Sequence, residues 1–377
     1  MRQKIITKEN NYAGINDWIN RNNIVKILVV GGGSVKRQVA FKTYLNQLER
    51  KGIGIVYFSD FQPNPLYDSV QKGVKLFKEA SCNGIMAVGG GSALDVAKCI
   101  KLFSNMTGGG INGDYLKQEI VPCQIPFLAM PTTAGTGSEA TRYAVIYYNG
   151  SKQSVAHESC IPDTVLMDSS VLRTLPIYQK KATMMDAFCH ALESFWSINS
   201  TEESKSYSKK AIELVLTHME GYLANTDDGN VGMLLAANIA GKAINITQTT
   251  AGHAMCYKIT SLFGAAHGHA AILCDRKLFP WMAEHTNQCI DPRGKQHLKD
   301  TLLEIALAMG CYRAEDAVIK LEAIFAKLKL EVPVATPDQF EILKNSVNPV
   351  RLKNHPVELA VDTIDKLYHQ ILKEKKE

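Results

Sequence analysis

An acid and an imidazole stand four residues apart in the segment MMDAFCHALESFWS, residues 184–197. An α-helix would place Asp186 and His190 on one face, about one turn from each other. Carboxylates and imidazoles are common ligands of divalent metals. Polar pairs at this spacing are also frequent on ordinary helices, and a histidine can be satisfied within a core. The pair alone therefore favours a structural role over a metal site.

Two further histidines change that balance. His253 and His267 lie 14 residues apart in the segment GHAMCYKITSLFGAAHGHA, and both adjoin small residues that let another group come close. With the first pair they make one carboxylate and three imidazoles. This set suits Fe²⁺ or Zn²⁺ and leaves a position for a substrate. His269, two residues beyond His267, is expected to be a neighbour of the site rather than a ligand.

A glycine-rich turn in the segment AVGGGSALDVAK is the second candidate site. A buried strand runs into Gly89, Gly90 and Gly91, and a helix is predicted to begin at Ser92. The free N–H groups and the dipole of that helix favour a phosphate or pyrophosphate. Ser92 and Asp95 also have capping-box spacing, so both could serve only the helix start. Three glycines exceed what a cap needs, which favours binding of a cofactor phosphate.

A third segment, MPTTAGTGSEAT, follows another buried strand and places hydroxyls between small residues. Such a loop can surround a nicotinamide ring and its ribose, although a purely structural turn has the same composition. The segment VVGGGSV at residues 29–35 resembles the glycine-rich turn of AVGGGSALDVAK and likewise follows β-type residues. A purely structural tight turn and a ligand-binding role explain its glycines equally well.

The order of elements predicts two domains. A chain of 377 residues is too long for one core. Its first half repeats strand, glycine turn and helix, which is typical of a parallel sheet with crossover helices. Beyond about residue 175 the pattern reads as successive helices. We therefore expect an α/β domain over residues 1–177 and an all-helical domain over residues 178–377, with ligands bound in the cleft between them.

Composition excludes several functional classes. The chain is 46% hydrophobic and 21% charged, and its net charge of +5 is spread along the sequence, so no nucleic-acid site is expected. The nine cysteines occur singly, which predicts reduced thiols in a cytosolic protein. We see neither a signal peptide nor a membrane-spanning segment. The expected location is the cytoplasm.

Taken together, GGGSALDVAK, PTTAGTGSEAT, MDAFCHALESFWS and the spaced histidines resemble the metal-dependent, iron-containing alcohol dehydrogenases over nearly the whole chain. The resemblance implies a Rossmann-like dinucleotide-binding domain followed by a helical metal domain. It implies NADH or NADPH as cofactor and a homodimer. It implies metal ligation by Asp186, His190, His253 and His267. It assigns the pyrophosphate to Gly89, Gly90, Gly91 and Ser92, with Asp95 behind them. It assigns the nicotinamide side to the threonine-rich loop MPTTAGTGSEAT, at Thr132, Thr133, Gly135, Thr136 and Ser138.

The sequence departs from the family pattern at two places. Many members have a histidine four residues after the third ligand, placed to relay protons, and this chain has Tyr257 there. The proton could pass through Tyr257, water or the ribose hydroxyls. Many members also have an acidic residue after the first strand. The corresponding VVGGGS has no acid to repel a 2′-phosphate, so the sequence is compatible with NADPH as well as NADH.

A closer resemblance concerns the substrate. The segments FSDFQPNP, HAMCYKITSLFGAAHGHA and VNPVRLKNHP are similar to the branch of the family that reduces phosphonoacetaldehyde to 2-hydroxyethylphosphonate. That branch implies a small anionic aldehyde as substrate. Lys258 is the first candidate for binding its phosphonate. Arg142, Lys152 and Arg276 are further candidates, although each could be an ordinary surface charge.

Three alternatives stay open. The same reductase chemistry could act on sulfoacetaldehyde or on an uncharged aldehyde. A metal-dependent lyase of the dehydroquinate synthase type shares the expected architecture, but the Asp186 and His190 pair together with PTTAGTGSEA favours the dehydrogenase. A catalytically silent binding protein is disfavoured by the complete ligand set.

Overall fold

The structure is a computed structural model that describes residues 3–375 of the chain. The chain divides into two units, residues 1–174 and residues 175–377. Each unit has its own core and its own candidate site, and each is described by itself.

The first unit contains a six-stranded parallel sheet with the strand order β1-β8-β5-β4-β2-β3. The strands of the unit are β1 (Lys4–Thr7), β2 (Lys26–Val30), β3 (Gly54–Phe58), β4 (Gly84–Gly89), β5 (Phe127–Pro131), β6 (Tyr143–Tyr148), β7 (Ser151–Ala156) and β8 (Thr164–Met167). Its helices are α1 (Glu9–Arg21), α2 (Gly33–Arg37), α3 (Val39–Arg50), α4 (Tyr67–Glu79), α5 (Gly91–Ser104) and α6 (Asp114–Lys117).

The middle of this sheet positions the two candidate loops. Every residue of β4 and β5 is buried, as expected for central strands of a parallel sheet with both faces covered. The two strands pair in register from Ile85 with Phe127 to Gly89 with Pro131. Because parallel strands end at the same edge, the glycine turn after β4 and the threonine-rich loop after β5 begin side by side.

The first unit differs from the prediction in three details. Strands β1 and β8 extend the sheet at one edge, and strands of four residues give little periodic signal. An antiparallel hairpin of β6 and β7 follows the threonine-rich loop. Helix α5 begins at Gly91 rather than Ser92, and no side chain caps it. The capping box proposed for Ser92 and Asp95 is therefore not formed.

The second unit is built from helices α7 (Ile177–Trp196), α8 (Glu202–Leu223), α9 (Asp227–Thr247), α10 (Ala251–Phe263), α11 (His267–Glu284), α12 (Gly294–Ala308), α13 (Ala314–Leu328), α14 (Pro337–Lys344), α15 (Pro349–Leu352) and α16 (Val361–Ile371). The strands β9 (Val334–Ala335) and β10 (Lys373–Glu374) form a short parallel pair, which departs from the all-helical expectation. Helix α7 packs against α8, α9 and α11, and α11 also packs against α10.

The structure confirms the predicted fold class, because an α/β region with a parallel sheet precedes a helical region. Across residues 3–375, none of the helices has the length and apolar character needed to cross a membrane.

Candidate metal centre and nucleotide-binding loop

Three helices of the second unit bring three of the four predicted metal ligands together. Asp186 lies in α7, His253 in the first turn of α10, and His267 at the first residue of α11. Each offers one ligand atom, and the three atoms lie within 4.8 Å of one another. Asp186 and His253 are buried, whereas His267 is half-buried. The centre therefore has a buried side and a more open side at His267.

Glycines beside the histidines allow these helices to approach so closely. A Cβ atom on Gly268 would run into the Ala182 carbonyl oxygen and lie 2.5 Å from the Asp186 Cβ. A Cβ atom on Gly252 would run into the carboxylates of Asp275 and Glu193. Only a residue without a side chain fits at either position, so the small neighbours noted in the sequence position the ligands.

Two buried ligand atoms indicate that the centre can bind a cation. Asp186 Oδ1 and His253 Nε2 are both buried and make no hydrogen bond within the described residues. They lie 3.5 Å apart. Metal bonds of about 2.0–2.2 Å place neighbouring ligands of a tetrahedral ion roughly 3.4 Å apart. Unsatisfied buried polar atoms are costly, and one shared cation would satisfy both. The residues thus fit a divalent metal.

His190, the fourth predicted ligand, lies one turn along α7 from Asp186. Its ring stacks on that of His253, with centroids 4.5 Å apart and an interplanar angle of 15°. Its Nε2 atom lies 4.0 Å from Asp186 Oδ1. The group of mutually close ligand atoms comprises Asp186, His253 and His267, and His190 lies directly against that group.

Glu193 holds His253 in place and was missed in the sequence analysis. Its carboxylate is fully buried and accepts hydrogen bonds from the His253 backbone N–H, at 3.0 Å, and from the ring Nδ1. It also accepts from the Thr250 hydroxyl at 2.7 Å. A bond to Nδ1 directs Nε2 towards Asp186 and fixes the tautomer that can bind a metal. The available signal was spacing, since Glu193 is two helical turns from Asp186 on one face.

The electrostatics of the centre favour a positive charge. Burial raises the pKa of Asp186, but the surrounding imidazoles lower it more, so that it ends well below its usual range. The pKa of Glu193 is also lowered, because His253 outweighs the effect of burial. Conversely, burial lowers the pKa of His253, but Glu193 and Asp186 together raise it to about 10. Two buried carboxylates thus stabilise a cation at this place.

Tyr257 and Lys258 follow His253 on α10. Tyr257 is one turn further along and stacks on His267, with ring centroids 5.3 Å apart at 22°. It therefore lies on the open side of the centre. Lys258 is five residues from His253, or about 140° around the helix axis, so it leaves the face that carries the ligand. His269 uses both ring nitrogens within the protein, towards the Tyr178 hydroxyl and the Glu331 carbonyl, as expected for a neighbour.

In the first unit, the glycine turn and the threonine-rich loop pack against each other. The Thr132 N–H donates to the Gly89 carbonyl at 2.9 Å. A Cβ atom on Gly90 would lie 3.3 Å from the Thr133 methyl, and one on Gly91 would lie 3.1 Å from the Thr136 methyl. Because no side chain caps α5, its first N–H groups are available to an anion. The residues present fit a dinucleotide pyrophosphate.

Other members of the predicted loop set fasten these segments together. The Ser138 hydroxyl donates to Asp95 Oδ1 at 2.9 Å, and the Val145 N–H donates to Asp95 Oδ2 at 3.1 Å. Lys98, which the sequence analysis missed, is fully buried and donates to the Ser138 hydroxyl and to the Thr141 carbonyl. Asp95 and Ser138 therefore hold the loop to α5. Thr132 and Gly135 are also buried, whereas Thr133 and Thr136 are half-buried.

Two of the candidate cations, Arg276 and Arg142, are engaged elsewhere. The Arg276 guanidinium is buried, pairs with Glu322 at 2.9 Å and lies 4.3 Å from the centre of the Phe325 ring. Arg142 pairs with Glu158 at 2.7 Å. Both contacts are those of structural charges.

Comparison with known families identifies the chain. The family model for iron-containing alcohol dehydrogenase matches residues 2–169, and the model for the C-terminal part of the same family matches residues 180–372. The chain belongs to the iron-containing alcohol dehydrogenase family, which is a family of oxidoreductases. The motifs that suggested this family in the sequence lie at the two sites described above.

Individual relatives agree with this assignment. The chain is 29% identical to alcohol dehydrogenase 4 of Saccharomyces cerevisiae over 342 residues, covering 87% of this chain and 85% of the relative. It is 30% identical to a phosphonoacetaldehyde reductase of Streptomyces viridochromogenes over 256 residues, 64% of each protein. The fold matches a sulfoacetaldehyde reductase of Bifidobacterium kashiwanohense, crystallised with NAD⁺, with a TM-score of 0.87 and 23% identity over 98% of this chain and 96% of that one.

Proposed function

We propose that this protein is a metal-dependent, NAD(P)H-linked reductase that converts phosphonoacetaldehyde to 2-hydroxyethylphosphonate. The reductase assignment rests on one observation. Asp186 Oδ1 and His253 Nε2, which are buried and make no hydrogen bond within the described residues, lie close together beside His267. Family membership supports the same chemistry.

The metal centre would act through four side chains. Asp186, His253 and His267 would hold the ion, with His190 as the fourth ligand from the adjacent turn. When bound, Fe²⁺ or Zn²⁺ supplies a Lewis acid that polarises the aldehyde carbonyl, and the nicotinamide supplies the hydride. Glu193 keeps the His253 ring in its ligating orientation.

The nucleotide would be bound mainly by backbone groups. The N–H groups of Gly90, Gly91 and Ser92 at the start of α5 would receive the pyrophosphate. Thr133 and Thr136 would face the nicotinamide side, from a loop that Asp95 and Ser138 hold in position. The glycine turn after β2 has no acidic residue to exclude a 2′-phosphate, so we expect NADPH to be used as well as NADH.

The product alkoxide needs a proton, and Tyr257 is the candidate side chain. It replaces the usual histidine and stacks on His267 at the open side of the metal centre. Water and the ribose hydroxyls are the other donors that the reaction offers.

The substrate proposal has separate support. A phosphonoacetaldehyde reductase is among the relatives at 30% identity, and a sulfoacetaldehyde reductase shares the fold. Both names describe an aldehyde with a tetrahedral anion one carbon from the carbonyl. A site with cations for that anion should favour it over an uncharged aldehyde by about 1.5–3 kcal/mol. Sulfoacetaldehyde is the second candidate. We also propose that the enzyme is a homodimer, which sedimentation analysis can test.

A substrate panel tests the proposal. The protein is loaded with Fe²⁺ or Zn²⁺ and assayed with NADH and NADPH against phosphonoacetaldehyde, sulfoacetaldehyde and propanal. We expect kcat/KM to be highest for phosphonoacetaldehyde. Equal values for phosphonoacetaldehyde and propanal would identify a general alcohol dehydrogenase instead.

A further inference from the structure

The open side of the metal centre is marked by two aromatic rings. His267 and Tyr257 are both half-buried and stacked on each other, whereas Asp186 and His253 are buried behind them. A substrate whose oxygen reaches the ligand set would extend past these two rings. Any group that binds the far end of that substrate should therefore lie near Tyr257.

Helix α15 brings Arg351 to this neighbourhood. The helix packs against α10. Arg351 Nη1 donates to Gln248 Oε1 at 3.0 Å, and Asn354 Nδ2 donates to the Thr249 carbonyl at 3.1 Å. These bonds attach the segment to the residues that immediately precede α10. His253 is five residues beyond Gln248, in the first turn of that helix.

These contacts place Arg351 beside the first part of α10. The residue is bonded to Gln248, three positions before the helix begins, and its own helix contacts α10. Arg351 therefore lies at the end of α10 that carries His253.

The guanidinium retains capacity for an anion. Its hydrogen-bond partner within residues 3–375 is the neutral amide of Gln248, and no carboxylate of that part of the chain forms an ion pair with it. By contrast, Arg276 is neutralised by Glu322. A guanidinium also presents parallel N–H groups that match two oxygens of a phosphonate or sulfonate, which an ammonium group does not.

We propose that Arg351 binds the anionic group of the substrate and thereby sets the preference for a phosphonate- or sulfonate-bearing aldehyde. This inference rests on the proposed function. It assigns to Arg351 the role that the sequence analysis gave first to Lys258, whose position on α10 turns away from the face of His253.

Two variants separate charge from packing. Arg351→Met removes the guanidinium and keeps much of the side-chain volume. Gln248→Glu leaves Arg351 in place and sets a carboxylate against it, so the charge is neutralised within the protein. Arg313→Met is the matched control, because Arg313 is exposed on another helix end and pairs with Asp316.

The readouts are kcat/KM for phosphonoacetaldehyde and propanal with metal-loaded protein, and the affinity for 2-hydroxyethylphosphonate by calorimetry. We expect Arg351→Met to lower the ratio of the two kcat/KM values by about 10- to 150-fold, the range for loss of a charged hydrogen bond. The affinity for 2-hydroxyethylphosphonate should fall similarly. Gln248→Glu should lower both quantities, and Arg313→Met should change neither.

Three results would overturn the inference, and they differ in what else they affect. If the wild type prefers phosphonoacetaldehyde and both variants keep that preference, Arg351 is not the anion site and the proposed function stands. If Lys258→Met alone removes the preference, Lys258 holds that role. If the wild type shows no preference, the anionic substrate itself is wrong and the inference falls with it.

Discussion

The two candidate sites of this chain are built from different parts of the polypeptide. In the candidate metal centre, side chains offer the ligand atoms, and buried carboxylates with closely packed glycines hold those side chains in place. In the candidate nucleotide site, formed by the glycine turn after β4 and the threonine-rich loop, backbone N–H groups would bind the ligand. The side chains of Asp95, Lys98 and Ser138 hold that loop in position. Residue types therefore point to function in the first case and to scaffolding in the second.

The largest expected effect follows from closing the gap between α7 and α11. Gly268→Ala would place a methyl group against the Ala182 carbonyl and the backbone of Asp186. We expect a loss of about 3 kcal/mol or more in the free energy of unfolding and loss of bound metal. Denaturant unfolding and elemental analysis measure both. Gly109→Ala is the control, since its Cβ would meet Ile111 only at ordinary contact distance, 3.8 Å. Equal stability of the two variants would contradict the packing proposed for the centre.

A smaller effect is expected when Glu193, which holds the ligand His253 in place, is replaced. Glu193→Gln keeps the size of the side chain, but its amide group can no longer accept from both Thr250 and His253. We expect metal affinity to fall by about 10- to 100-fold with the fold retained. Competition with a chelator measures this affinity, and Glu202→Gln, an exposed change on α8, is the control. Unchanged affinity would show that Glu193 only packs.

A larger side chain in the glycine turn after β4 should weaken nucleotide binding and leave the metal centre intact. Gly91→Val would crowd the Thr136 methyl and cover the first N–H groups of α5. We expect nucleotide affinity to weaken by about tenfold, the scale of a moderate overpacking cost, while metal content is unchanged. Titration with NADH and NADPH measures the nucleotide affinity, and Gly109→Val is the control. Nucleotide affinity at the wild-type level would mean that these glycines serve the turn alone.

The smallest effect concerns the scaffolding of the loop. Ser138→Ala removes one hydroxyl that bonds to both Asp95 and Lys98. We expect a loss of about 1 kcal/mol in unfolding free energy, because Asp95 and Lys98 each lose one hydrogen-bond partner. Thermal unfolding measures it, with nucleotide affinity as a second readout. No change in stability would indicate that the loop does not depend on this bond.

The parts of the molecule that sequence patterns predict are those with a strong local signal. The glycine turns after buried strands predicted the parallel sheet, and the ligand types at Asp186 and His253 predicted a metal centre. Glu193 escaped notice because a glutamate in an amphipathic helix looks like any surface residue, and only its burial reveals its role.

Two other features depend on tertiary contacts. Asp95 resembled a helix cap from its spacing, yet it bonds to a serine and a backbone N–H more than 40 residues away. Arg351 is far from α10 in sequence, and only the packing of α15 brings it there. Local spacing carries no information about such partners.

The metal content of the purified protein tests the central claim most directly. Wild-type protein and His267→Ala are each reconstituted with Fe²⁺ or Zn²⁺, freed of loose ions, and analysed for metal per chain and for reductase activity. We predict one metal ion per wild-type chain, and a strongly depleted His267→Ala variant without activity that still binds nucleotide. Full metal occupancy in the His267→Ala variant would contradict the assignment of this centre.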